Sequence, residues 1–138
     1  MIEEFSDRSN YIFKLAHDLA IKQNHTLISH HILYALIENP DKYIVNILRN
    51  IGADISALKK KLKKYLSQLK IEQSFNPNAK INYSVIKLVD IAKLLIQENG
   101  DKVVTQEILF LALAHSDMNT KVILSSESLT FERLKYEI

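Results

Sequence analysis

At 138 residues, with 47% hydrophobic and 25% charged residues, the chain has the size and balance of one globular domain. A net charge of +2 is too small to signal nucleic acid, and no apolar run approaches the roughly 20 residues of a membrane span. The absence of cysteine excludes a disulfide framework and thiolate chemistry and fits a reducing cytoplasm, and Met1-Ile2-Glu3-Glu4 lacks the basic start and apolar stretch of a secretion signal. With two glycines and two prolines in the whole chain there is little to interrupt helices, so helix should dominate.

The elements follow in order. Tyr11, Ile12, Leu15, Ala16, Leu19 and Ala20 recur at helical spacing and predict a first helix over 7–23, with Ser6 or Asp7 as N-cap. A second helix begins after Ser29, which is expected to cap it, runs through Ile32, Leu33, Leu36 and Ile37, and stops before Pro40. A third covers 43–50 and ends near Gly52, which can take the left-handed conformation. Asp54 caps a fourth through Leu58, Leu62 and Leu66 to residue 69. After a polar stretch containing Ser74, Asn76, Pro77 and Asn78, a fifth helix is expected over 83–97, ending at Asn99-Gly100. Thr105 caps a sixth through Leu113, a short seventh covers 119–125, and Thr130 caps the last.

The second half copies the first. Shifted by 76 positions, residues 5–62 lie over 81–138 without a gap, with nine of 58 pairs identical. Leu15-Ala16 meets Ile91-Ala92, Ile47-Leu48 meets Ile123-Leu124, and Leu58 meets Leu134. Apolar matching with few identities is what a duplication leaves when the fold is kept and the surface drifts. One repeat alone would leave an apolar face in water, so the two should pack about a pseudo-twofold axis. The expected organisation is a single all-α domain over 1–138, with repeat one at 5–69, a linker at 70–80 and repeat two at 81–138. The final helix pattern stops at Ile138 without a cap, as a cut at a domain boundary of a longer protein would.

Several side-chain groups invite chemistry. His17, His25, His30, His31 and His115 lack cysteine or carboxylate partners at ligand spacing and read as surface or capping residues, so no metal is expected. Lys59-Lys60-Lys61 with Lys63-Lys64 is interrupted by Leu58, Leu62, Tyr65 and Leu66 at helical spacing, which is the pattern of a solvated helix back rather than a nucleic-acid surface. Asp101 belongs in a turn, and Glu107 in a first helical turn whose dipole favours negative charge. No nucleophile–base constellation and no phosphate-binding glycine loop are present, so no catalytic residue is assigned. On the fifth helix Ile81, Val85, Leu88, Val89, Ala92 and Ile96 form the expected core face, leaving Ile91, Leu94 and Leu95 on an adjoining stripe. By pattern alone this stripe reads either as a contact with the other repeat or as a binding surface.

The segment Ala92-Lys93-Leu94-Leu95…Asn99-Gly100-Asp101-Lys102-Val103-Val104-Thr105-Gln106-Glu107-Ile108-Leu109-Phe110-Leu111-Ala112-Leu113 resembles the A-x-x-L-A…G-D-x-x-V-x-x-E-H-L-L-L-A-L signature of the Clp repeat. Residues 16–37 give a weaker copy, with Asn24-His25 for the Gly-Asp pair, His31 for the Glu, and Gly52 matched later by Ser128. Two such repeats form the N-terminal domain of the Clp/Hsp100 ATPases, and the polar linker and second-repeat Gly-Asp look most like the ClpB disaggregase branch. The resemblance implies a cytoplasmic stress chaperone that recruits unfolded or aggregated clients to an ATP-driven ring, expected to be hexameric. ATP and magnesium would be held in later domains, and this chain would hold no cofactor. It also implies a shallow apolar groove at Ser6, Ile91, Leu95 and Ile108, joined by Leu94 of the stripe, with Glu107 at the rim. The alternative it offers is an adaptor-docking N domain of a ClpA/ClpC-type unfoldase working with a protease.

Overall fold

The computed structural model describes residues 2–69, 71 and 82–138; the linker expected over 70–80, apart from Ile71, and the expected core residue Ile81 lie outside the described residues. Two sets of four helices follow one another: α1 Asp7–Lys22, α2 Ser29–Glu38, α3 Lys42–Ile51 and α4 Ile55–Ser67, then α5 Tyr83–Asn99, α6 Gln106–Ser116, α7 Met118–Ser125 and α8 Phe131–Glu137. Among the described residues the one sheet-like pairing is an isolated parallel bridge between Phe5 and Val104, so the fold is all-α.

The helix starts are set by short oxygen-bearing side chains. Ser6, Asp54, Thr105 and Thr130 accept first-turn amides from Ser9, Ala57, Ile108 and Arg133, as the sequence suggests. Asp41, Asn82 and Asp117 do the same for α3, α5 and α7. Each such cap contributes about 1 kcal/mol. The exception is α2. Its cap position is Ile28, which has no side-chain oxygen, and Ser29 lies inside the helix with its hydroxyl donated to Asp117 Oδ2 at 2.8 Å. The expected Ser29 cap is therefore corrected: Ser29 ties α2 to α7 across the two repeats.

The backbone repeats even where the residues do not. Left-handed conformations occur at Asn24 and Gly100, and again at Gly52 and Ser128, each pair 76 positions apart. The gapless offset fails in one place. The amides of Ser6 and Asn82, 76 apart, donate to the carbonyls of Val104 (3.1 Å) and Leu27 (3.0 Å), which are 77 apart. Repeat two thus carries one extra residue in the turn before α6. The second helices align Ala35-Leu36 with Ala112-Leu113, His30 with Glu107 and His31 with Ile108, which replaces the pairing of His31 with Glu107. The offset returns to 76 at the caps Asp41 and Asp117.

That exchange of hydrogen bonds also defines the pseudo-twofold axis: each repeat's first cap is fastened to the turn before the other repeat's second helix. The core lies where the second helices meet. From Ile108 to Ala114 every residue of α6 is buried, and α2 buries Ser29 through Leu33 and Ala35 through Ile37. A helix that is apolar all round must be central. The hairpins α1–α2 and α5–α6 pack within repeats, and α2 meets α6 between them.

A Cβ placed on Gly100 would meet no atom within 4 Å, so its substitution costs backbone conformation alone. Gly100→Ala should lower stability by about 1 kcal/mol, and Ser128→Gly should raise it by about 0.5–1 kcal/mol. Urea unfolding of both variants measures the pair, and opposite signs are expected.

Candidate functional site

The residues expected to form the groove gather around the first turn of α6. Ser6 is placed there by its amide bond to Val104, and the neighbouring Ser9 hydroxyl donates to the same carbonyl at 2.8 Å. Glu107 and Ile108 belong to that turn, and α5, packed along α6, brings Ile91, Leu94 and Leu95. Exposure across the stripe is uneven. Leu94 is 53% exposed and Ile91 is partly buried, but Leu95 is 8% and Ile108 5% exposed. The expected exposure is corrected at these two positions: the α5–α6 hairpin closes tightly enough to take both into the core. Leu88, Ala92 and Leu109 are fully buried, as expected. The Glu107 carboxyl is pushed up by burial and then by the nearby Asp41 charge, so at this rim the anion is held less comfortably than in water.

A second apolar surface runs along α1, and the helical periodicity does not reveal it. Ile2, Tyr11, Phe13 and Leu27 line an open trough of about 700 Å³, edged by Lys14, His17 and Asp7. Phe13 lies beside the core face of α1, its ring edge-on to Phe5 at 5.3 Å. The signal in the sequence is an aromatic at position 13 that the core pattern of the first helix leaves over.

His25, His30 and His31, expected at the surface or as caps, are all buried around the start of α2, and His25 pairs with His31. The Ile28 amide donates to His31 Nδ1 at 3.1 Å, which fixes the His31 proton on Nε2, and His25 Nδ1 stands 3.3 Å from that nitrogen to accept it. His30 points elsewhere. It stacks on Tyr65 at 3.9 Å with the rings 8° from parallel, and neither of its nitrogens has a hydrogen-bond partner among the described residues. Burial lowers His30 to about 4 although the Asp117 charge pulls it upward, and burial followed by the His25 charge lowers His31 to about 4. Among the described residues no group of three or more histidine, cysteine or carboxylate residues could hold a metal. His115 lies edge-on to Phe131 at 4.9 Å.

The lysine run lies on the outer side of α4, whose Leu58, Leu62 and Leu66 are buried. Lys59 pairs with Glu38 and Lys61 with Glu127, each at 3.4 Å, whereas Lys60, Lys63 and Lys64 form no ion pair among the described residues. Among the described residues no helix is long and apolar enough to cross a membrane.

The family profile described as Clp repeat (R) N-terminal domain matches residues 4–127. The chain belongs to this family. Chaperone protein ClpB of Pseudomonas putida is 29% identical over 140 residues, an alignment that takes in 99% of this chain and 16% of that protein. The chain thus spans about one sixth of the curated relatives it matches. Among solved structures, the Hsp104 N-terminal domain from Candida albicans superposes with a TM-score of 0.84 at 20% identity, covering 97% of this chain and 88% of that one. A ClpV N-domain in complex with a VipB peptide superposes at 0.74 with 20% identity, covering 96% and 83%. A Clp repeat domain is a non-catalytic part of the AAA+ ATPases that carry it.

The buried imidazoles make the stability of this Clp repeat domain depend on pH. Their folded pKa values lie below the unfolded value of 6.5, so the unfolded chain takes up protons first. The stabilisation is present in full above pH 6.5 and drains away as the pH falls toward 4, by about 3 kcal/mol per histidine at most. His30→Phe keeps the stacking on Tyr65 and removes two unpartnered nitrogens. It should raise stability at pH 7 by about 1 kcal/mol and flatten the decline between pH 6.5 and 5, measured by urea unfolding across that range.

Proposed function

We propose that this Clp repeat domain recruits unfolded or aggregated proteins to the ATP-driven ring of a ClpB-like disaggregase in the cytoplasm, of which it forms the N-terminal domain. The ring, expected to be hexameric, would hold ATP and magnesium in domains beyond this chain. The single observation that supports the reading best is Leu94, a large apolar side chain left 53% exposed beside the partly buried Ile91, next to Leu95 and Ile108, which are covered. Unfolded chains differ from folded ones in their exposed apolar side chains, and covering these yields about 25 cal/mol per Å². Leu94 and Ile91 would make the contact. Leu95 and Ile108 form a floor beneath it, Ser6 contributes a hydroxyl at one side, and Glu107 sets the charge of the rim. A contact so shallow binds weakly and with little sequence preference, as a client that must be passed on requires.

The second reading is docking of a defined adaptor or partner peptide, as on a ClpA/ClpC-type unfoldase that serves a protease. It is favoured by the structural likeness to a ClpV N-domain complexed with a VipB peptide, and by the open apolar trough of about 700 Å³ along α1.

Leu94→Gln should weaken binding of an unfolded model protein several-fold and leave the melting curve nearly unchanged, because the side chain already faces water. Leu95→Ala should instead cost about 2–5 kcal/mol of stability, as truncation of a core leucine does. Titration of both variants with a permanently unfolded client, beside their thermal melts, makes the comparison. Unaltered binding by the Leu94 variant would move the client surface to the trough.

A further inference from the structure

We propose that the pocket between the end of α2, α3 and the start of α4 is a second binding site, which takes an aromatic side chain of a peptide segment that carries a carboxylate beside it. The pocket lies within repeat one and rests neither on the client surface at Leu94 nor on the trough along α1.

The first observation is that repeat two fills the equivalent place with a ring of its own. Phe131 packs against the core there, with His115 edge-on at 4.9 Å and the Lys135 ammonium 5.7 Å from the ring centre. Leu129 beside it is fully buried. The offsets that relate the repeats put Ile55 in the place of Phe131, Ala53 in that of Leu129, Glu38 in that of His115 and Lys59 in that of Lys135. Two apolar side chains are thus replaced by smaller ones. What stands there is a pocket of about 560 Å³ with Ile37, Leu48, Ala53 and Ile55 in its lining, beside Glu38 and Lys59.

The backbones agree around this place, down to the left-handed residues Gly52 and Ser128. Phe131 therefore shows what fits: a flat apolar ring with an ammonium over it. A ring entering the pocket of repeat one would cover its apolar lining and find Lys59 where Phe131 finds Lys135, gaining the attraction of a cation for a π face. Val45, 37% exposed, extends the apolar lining toward solvent on the α3 side. An open wall of this kind suits a side chain carried on a peptide rather than a free small molecule, which an enclosed cavity would hold better.

The second observation is the charge left over in the lining. Lys59 and Glu38 pair with each other at 3.4 Å. Asp54, between Ala53 and Ile55, has its Oδ1 engaged by the Ala57 amide at 3.0 Å, as the cap of α4. Arg49 also lines the pocket, exposed and with no ion pair among the described residues. Its counterpart in repeat two is the uncharged Ser125. A guanidinium takes a carboxylate through two parallel N–H donors, so the residue next to the aromatic one should be acidic.

The test is an NMR titration of the isotope-labelled chain with a short end-blocked peptide in which a phenylalanine is followed by an aspartate among glycines and serines. The amides of Val45, Arg49, Gly52 and Lys59 should shift. A counterpart peptide with alanine for the phenylalanine should bind at least about ten-fold more weakly, and one with asparagine for the aspartate about three-fold or more. Ile55→Phe gives repeat one the ring that repeat two already has. It should lower affinity for the parent peptide at least about ten-fold without lowering the melting temperature. The surface variant Arg49→Glu should weaken the acidic peptide and leave the asparagine peptide unchanged, and Leu94→Gln should bind as the parent does. Equal binding of the phenylalanine and alanine peptides, indifference to Arg49→Glu, undiminished binding by a folded Ile55→Phe chain, or shifts confined to α1, α5 and α6 would each overturn the assignment.

Discussion

Two backbone hydrogen bonds hold the architecture in its form. The Ser6 amide reaches the Val104 carbonyl and the Asn82 amide reaches Leu27, so each repeat begins by fastening itself to the other. The energy of the fold lies elsewhere, in the apolar side chains of α2 and α6, each buried leucine or isoleucine contributing about 1.5–3 kcal/mol. Burial is non-directional, however, and would tolerate the two hairpins in several relative positions. The reciprocal bonds choose one. They also set which residues share a neighbourhood at each end of the axis: Ser6 with the first turn of α6, and Asn82 with the first turn of α2.

Most of this was legible in the sequence, for identifiable physical reasons. Helix periodicity, the caps at Ser6, Asp54, Thr105 and Thr130, and the turn at Gly100 are local signals that tertiary contacts did not override. The duplication showed because core positions resist change. Its one-residue slip before α6 was hidden by the apolar run of that helix: when every neighbour is apolar, a shift by one still lays apolar on apolar. The Ala-Leu pairs at 35–36 and 112–113 were the available clue. The Ser29 misreading has the same origin, since a serine just before an apolar helix is ordinarily its cap, and only the approach of Asp117 from the other repeat gives its hydroxyl a different partner.

The candidate sites were less legible because exposure is a tertiary property. A helical wheel separates two faces of α5, but it does not say how wide a face α6 will cover. Leu95 and Ile108 were covered and Leu94 was left out. The pocket beside Arg49 lies beyond helical periodicity altogether, since α2, α3 and α4 must close around it before it exists. What sequence does reveal there is the departure: Ala53 and Ile55 stand in the structural places that Leu129 and Phe131 hold in repeat two.

The interlocking of the halves is the claim on which the Leu94 surface depends, and native-state hydrogen exchange in increasing urea tests it most directly. If the reciprocal bonds and the α2–α6 core join the repeats into one cooperative unit, the amides of Ser6, Asn82 and Val104 and those in the middle of α2 and α6 converge on a single opening free energy and a single urea dependence. Two separate sets, one for each repeat, with the Ser6 and Asn82 amides exchanging freely while the helices stay protected, would contradict it.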